Sequence, residues 1–161
     1  MKRLILQAAV ATMVLAPLVS VSFAQVTSSA SESADQIAVR KVLMDTWDKP
    51  GSRLDAGPIV VVGDRAIAGW TQDSRGGRAL LVRNAHGKWA VSVCAGDGLK
   101  DPKALESMGM SAVAARDLSR YLVQAEAKTT PQRRALFSTF DGMVRMDAEG
   151  NHPPHASGDK H

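Results

Sequence analysis

The stretch Pro58-Ile-Val-Val-Val62, Gly63-Asp64, Arg65-Ala-Ile-Ala-Gly-Trp-Thr-Gln72 decides the fold. Its first five residues are nearly all β-branched, as a strand requires. Gly63-Asp64 is a two-residue hairpin turn of the type that opens on glycine. Arg65–Gln72 returns as a second strand, with Trp70 on the face of Ala66 and Ala68. The pattern then repeats. Asp73-Ser-Arg-Gly-Gly77 reads as a looser connection, and Arg78–Arg83 as a third strand. Asn84-Ala-His86-Gly87 turns the chain again. Lys88–Cys94 is the fourth strand, with Trp89, Val91 and Val93 alternating against Ala90, Ser92 and Cys94. Short connections of this kind produce an antiparallel meander.

Helical signals flank the meander. Ser33-Ala-Asp-Gln36 fits a capping box, and a helix follows to about Trp47, with Val39, Val42, Leu43 and Trp47 on one face. After Gly98 the period becomes helical. Asp101-Pro102 opens a short helix closed by Gly109. Ser111 caps a longer one to about Ala127, expected to bury Val113, Leu118, Tyr121, Leu122 and Ala125. Thr130-Pro131 opens a third, reaching Phe137, and Asp141-Gly142 turns into a short final strand at Met143–Met146. The expected class is α+β: an N-terminal helix on a four-stranded antiparallel meander, then helices, a short C-terminal strand and a tail. Cystatin-like folds share the outline of a helix on a curved sheet.

The ends speak of export. Met1-Lys2-Arg3 precedes an apolar run from Leu4 to Val21, and Ser22-Phe23-Ala24 supplies small residues at a cleavage site. Residues 1–24 therefore read as a signal peptide, which places the mature chain in the periplasm or outside the cell. Residues 25–33 read as a disordered leader, 34–147 as one α+β domain and 148–161 as a flexible tail containing histidines. Removing residues 1–24 from the 161 leaves 137, with 18 basic and 16 acidic side chains. That near balance argues against nucleic acid as a partner. No further apolar stretch is long enough to span a bilayer once the signal is gone.

Three of the four histidines, His152, His155 and His161, lie in the last ten residues. In His152-Pro-Pro-His155 the prolines favour polyproline II, which puts both imidazoles on one edge about 9 Å apart at about 3.1 Å per residue. Met143 and Met146 precede them. Thioethers suit Cu(I) and imidazoles Cu(II), so copper is the expected ion. The competing reading makes these methionines core filler and the tail an inert polar segment. Residues three apart in a strand face opposite sides, which sets Met143 against Met146 as joint ligands. The single cysteine, Cys94, is expected on the face opposite Trp89. It is a small buried hydrophobe, a partner in an interchain bridge, or a soft-metal ligand.

Catalytic signatures are missing. There is no His-Glu-x-x-His, no Gly-x-Ser-x-Gly and no phosphate-binding glycine loop. The three tryptophans read as core or as walls of a cleft, with Trp70 and Trp89 as its expected lining.

Several segments resemble an exported proteobacterial family, the copper uptake system-associated proteins. They are Ala38-Val-Arg-Lys-Val-Leu-Met-Asp45, Ala68-Gly-Trp-Thr-Gln72, Gly76-Gly-Arg-Ala-Leu-Leu81, Trp89-Ala-Val-Ser-Val-Cys-Ala-Gly-Asp-Gly98, and Met143-Val-Arg-Met-Asp147 before the His-Pro-Pro-His tail. The resemblance implies a soluble, non-catalytic accessory of copper uptake, with components of an uptake system as partners. It carries no ligand set. The candidate ligands from the residues themselves are His152, His155, His161, Met143, Met146 and Cys94. The alternative is a periplasmic ligand- or partner-binding domain on a helix-and-sheet scaffold with no metal role.

Overall fold

The computed structural model describes residues 32–146. The expected signal peptide, most of the expected leader, and the tail with His152, His155 and His161 lie outside them.

Helix α1 spans Ala34–Trp47. Ser33 Oγ accepts from Gln36 N–H, and the Gln36 side chain accepts from Ser33 N–H, which closes the capping box read from the sequence. Glu32 pairs with Arg40 at 2.6 Å and ties the residue ahead of the cap to the helix. Five strands follow as a single antiparallel sheet in chain order: β1 Leu54–Val62, β2 Arg65–Gln72, β3 Arg75–Arg83, β4 Trp89–Ala95 and β5 Met143–Arg145. Between β4 and β5 lie a 3₁₀ turn at Asp97–Lys100 and helices α2 Pro102–Ser107, α3 Ala112–Glu126 and α4 Pro131–Phe137. Asp101, Ser111 and Thr130 cap these helices through their side chains, as the sequence leads one to expect. The α+β class holds, with the short final strand joined to the sheet beside β4.

Both faces of the sheet are covered. One face packs Ala66, Ala68, Ala79 and Leu81 against Val39 and Leu43 of α1. The other packs Ile67, Leu80 and Val93 against Leu105 of α2 and Leu118 and Leu122 of α3. Strands buried on both sides lose the apolar–polar alternation, which is why β1 reads as an unbroken apolar run.

Four details differ from the expectations. β1 begins at Leu54, and its register shifts between Ala56 and Ile59, around Pro58, which has no N–H for the ladder. The connection from β2 to β3 is only Asp73-Ser74, because Arg75 already pairs with Gln72 and both Gly76 and Gly77 belong to the strand. On α3 the buried stripe runs through Ala115, Leu118, Ser119, Leu122 and Glu126. Val113 is 62% and Tyr121 42% exposed, since the stripe is rotated to bring Glu126 inside.

The fourth difference concerns Cys94. In β4, Leu80 pairs with Val93 but Leu81 pairs with Val91, so Ser92 is an extra residue. This β-bulge reverses the alternation. Trp89 and Val91 lie on the α1 face, Val93 and Ala95 on the other, and Cys94 returns to the α1 face. The cysteine therefore shares a side with Trp89, contrary to strict alternation. The Ser92 carbonyl also accepts from Met146 N–H at 2.9 Å.

Candidate functional site

The α1 layer does not cover the whole sheet. Where α1 ends at Trp47, a cavity of about 310 Å³ remains against β2, β4 and β5. Trp47, Leu54, Trp70 and Phe140 supply apolar walls, and Cys94, Val144 and Met146 close one side. Trp70 and Phe140 meet edge to face, 5.9 Å between centroids at 82°. Gln72 holds the end of α1 in place, with Nε2 donating to Trp47 O at 2.9 Å and to Ser52 O at 2.7 Å.

A track of glycines makes this geometry. After α4 the chain passes Ser138 and Thr139 and delivers Phe140 to the α1 face. Thr139 Oγ1 accepts from Gly76 N–H at 3.0 Å and lies 3.2 Å from Gly76 O. A Cβ at Gly77 would stand 2.9 Å from Phe140 Cβ, and one at Gly96 would stand 2.5 Å from Phe140 O. Real Cβ atoms do not approach that closely, so only glycine lets the segment lie flat on the strand ends.

A second, polar cavity of about 470 Å³ adjoins the first and shares Trp70, Gln72 and Phe140 with it. Its own lining includes Asp73, Arg75, Thr139 and Asp141. Asp73 holds φ 53° in the hairpin turn, and its carboxylate accepts from Ser52 Oγ at 2.6 Å. Trp70 Nε1 lies buried without an acceptor among the described residues.

Of the six ligands expected from the sequence, the structure brings two together. Cys94 pairs with Val144, and Met146 follows two residues later on the same face, so thiol and thioether form a diagonal cross-strand pair lining the apolar cavity. Burial pushes the Cys94 thiol up to about 12. Met143 does not join them. It is 44% exposed and pairs with Ala95, whose side chain belongs to the far face of the sheet. His152, His155 and His161 lie outside the described residues. Among those residues no cluster of three or more His, Cys, Asp or Glu could hold an ion. Trp70 lines the cavity as expected, but Trp89 does not. Its indole donates to Asp35 Oδ1 at 3.2 Å and lies under the Arg83 guanidinium, at the other end of the α1–sheet interface. Sequence reasoning misses Gln72 and Phe140. The only local signal for Phe140 is the Gly76-Gly77 pair, which reads as a turn rather than as the floor beneath an aromatic ring.

A second polar centre lies on the far face. Arg78, 1% exposed, donates to both oxygens of Glu126, to Asp97 and to the Phe137 carbonyl. With every nitrogen of its guanidinium engaged, it clamps α3, α4 and the 3₁₀ turn onto β3. Among the described residues no helix is long and apolar enough to cross a membrane.

Fold and cavity together define a helix–sheet–helix domain with an apolar pocket and a polar annex at one end. No protein-family model, curated protein or solved structure matches the chain.

Proposed function

We propose that this is an exported, non-catalytic accessory of copper handling that holds Cu(I) at the Cys94–Met146 wall of the apolar cavity. The observation that carries the reading is the meeting of a thiol and a thioether in one desolvated pocket. Soft donors in apolar surroundings favour a soft monovalent ion over hard divalent ones. The elevated thiol demands that the metal displace the proton. Binding therefore releases H⁺ and tightens as pH rises. A further donor comes from the tail. His152 follows Met146 by six residues, which span up to about 20 Å when extended. The family resemblance agrees in chemistry and in the expected periplasmic location.

The test is an anaerobic Cu(I) titration of the chain without residues 1–24, in competition with a chromophoric chelator. Cys94→Ser and Met146→Leu should each weaken binding at least tenfold, and Met143→Leu should leave it unchanged. A form ending at Glu149 reports the share carried by the histidines. Wild-type affinity in both Cys94→Ser and Met146→Leu would falsify the site.

One observation favours a second reading, a pocket for a small organic ligand. The cavity of about 310 Å³ has aromatic walls. Organic ligand sites fall in the range of about 300–1,000 Å³ with mostly apolar lining and few polar groups.

A further inference from the structure

The two cavities form one groove of opposite chemistries divided by a shared wall. Trp70, Gln72 and Phe140 belong to both. On one side lie aromatic and aliphatic surfaces. On the other lie one guanidinium, Arg75, and two carboxylates, Asp73 and Asp141. Among the described residues the side chains of Arg75 and Asp141 make no hydrogen bond or ion pair. The Asp73 carboxylate is engaged there only by the Ser52 hydroxyl.

A ligand of a single charge would meet a like charge in this chamber whichever sign it carried. A ligand with both signs on adjacent atoms meets partners for each. Its remaining bulk has an apolar chamber immediately across Trp70.

We propose that the groove binds a free α-amino acid with a large apolar side chain. The carboxylate pairs with Arg75, the ammonium with Asp73 and Asp141, and the side chain enters the cavity beside Phe140. This inference rests on the organic-ligand reading, narrows it to one class, and does not rest on the copper reading.

The chain without residues 1–24 is first titrated with the neutral apolar dye N-phenyl-1-naphthylamine, and then with L-phenylalanine as competitor. Displacement by L-phenylalanine is expected. L-Phenylalaninamide, which lacks the carboxylate, and 3-phenylpropionate, which lacks the ammonium, should each compete at least tenfold more weakly, and glycine not at all. Arg75→Gln, an exposed position, should weaken L-phenylalanine at least tenfold and leave the amide unchanged. If the dye binds but the zwitterion competes no better than either truncated analogue, the amino-acid inference fails and the organic-ligand reading stands. If the dye does not bind, both fail. An unaltered L-phenylalanine affinity in Arg75→Gln also overturns the inference.

Discussion

Arg78 faces Glu126 through two parallel hydrogen bonds, Nε to Oε1 at 2.6 Å and Nη2 to Oε2 at 2.8 Å, with side chains only 1% and 5% exposed. A fork-on-fork pair of this kind is directional as well as strong. Its third nitrogen reaches Asp97 at 3.2 Å and Phe137 O at 3.1 Å, so the strand, the end of α3 and the exit from α4 share one cation.

Removing one partner strands the other charge in the interior. Glu126→Leu should lower unfolding free energy by about 3–5 kcal/mol, the range for breaking a buried pair. The double replacement Arg78→Met with Glu126→Leu should cost less than Glu126→Leu alone, since no charge is left unpaired. Urea unfolding of the three proteins decides it. A loss under about 1 kcal/mol in Glu126→Leu would contradict the clamp.

The glycine track makes a steric prediction. Gly77→Ala and Gly96→Ala should each cost about 1–3 kcal/mol, as overpacking does, because the new methyl meets Phe140 Cβ or Phe140 O. A methyl added at Gly51 would meet nothing within 4 Å, so Gly51→Ala should stay within about 0.5 kcal/mol of wild type. Midpoints of urea denaturation at unchanged slope give the comparison. Gly96→Ala as stable as wild type would mean that Phe140 does not rest on the strand end.

Cys94 supplies a pH signature. Burial raises its thiol from 9.0 to about 12. Below pH 9 the thiol is neutral in both folded and unfolded chains. Above it the unfolded chain ionises first and binds fewer protons than the native one, so stability falls with rising pH. That contribution is fully present below about pH 9 and lost as pH approaches about 12. Wild type should therefore lose more stability than Cys94→Ala across this window. Alkylation by iodoacetamide at pH 8 should be at least tenfold slower in the native protein than in urea. Parallel pH curves for wild type and Cys94→Ala would contradict a desolvated thiol.

How much is legible in the sequence follows the range of each signal. Capping is local: Ser33, Asp101, Ser111 and Thr130 each announce a helix start within four residues, and the structure places a helix at each. The Gly63-Asp64 turn is local too, and β2 ends where its pattern ends, at Gln72. The bulge at Ser92 has no such mark, because nothing in Val-Ser-Val-Cys says that one residue is surplus to the ladder. Strict alternation therefore puts the thiol on the wrong face. Phe140 comes to Trp70 across some seventy positions of chain, a contact that no periodicity encodes. Arg78 and Glu126 are 48 residues apart, and each alone reads as an ordinary surface charge.

The bulge has a consequence for the cavity's makeup. One supernumerary residue is absorbed after Val91, so that Cys94 keeps its place opposite Ala79, and its carbonyl anchors Met146. Excising Ser92 would restore a regular ladder with Cys94 still opposite Ala79, and would remove the carbonyl that anchors Met146. The surplus residue thus leaves the cysteine where its partner strand sets it, and adds a tether for the thioether beside it.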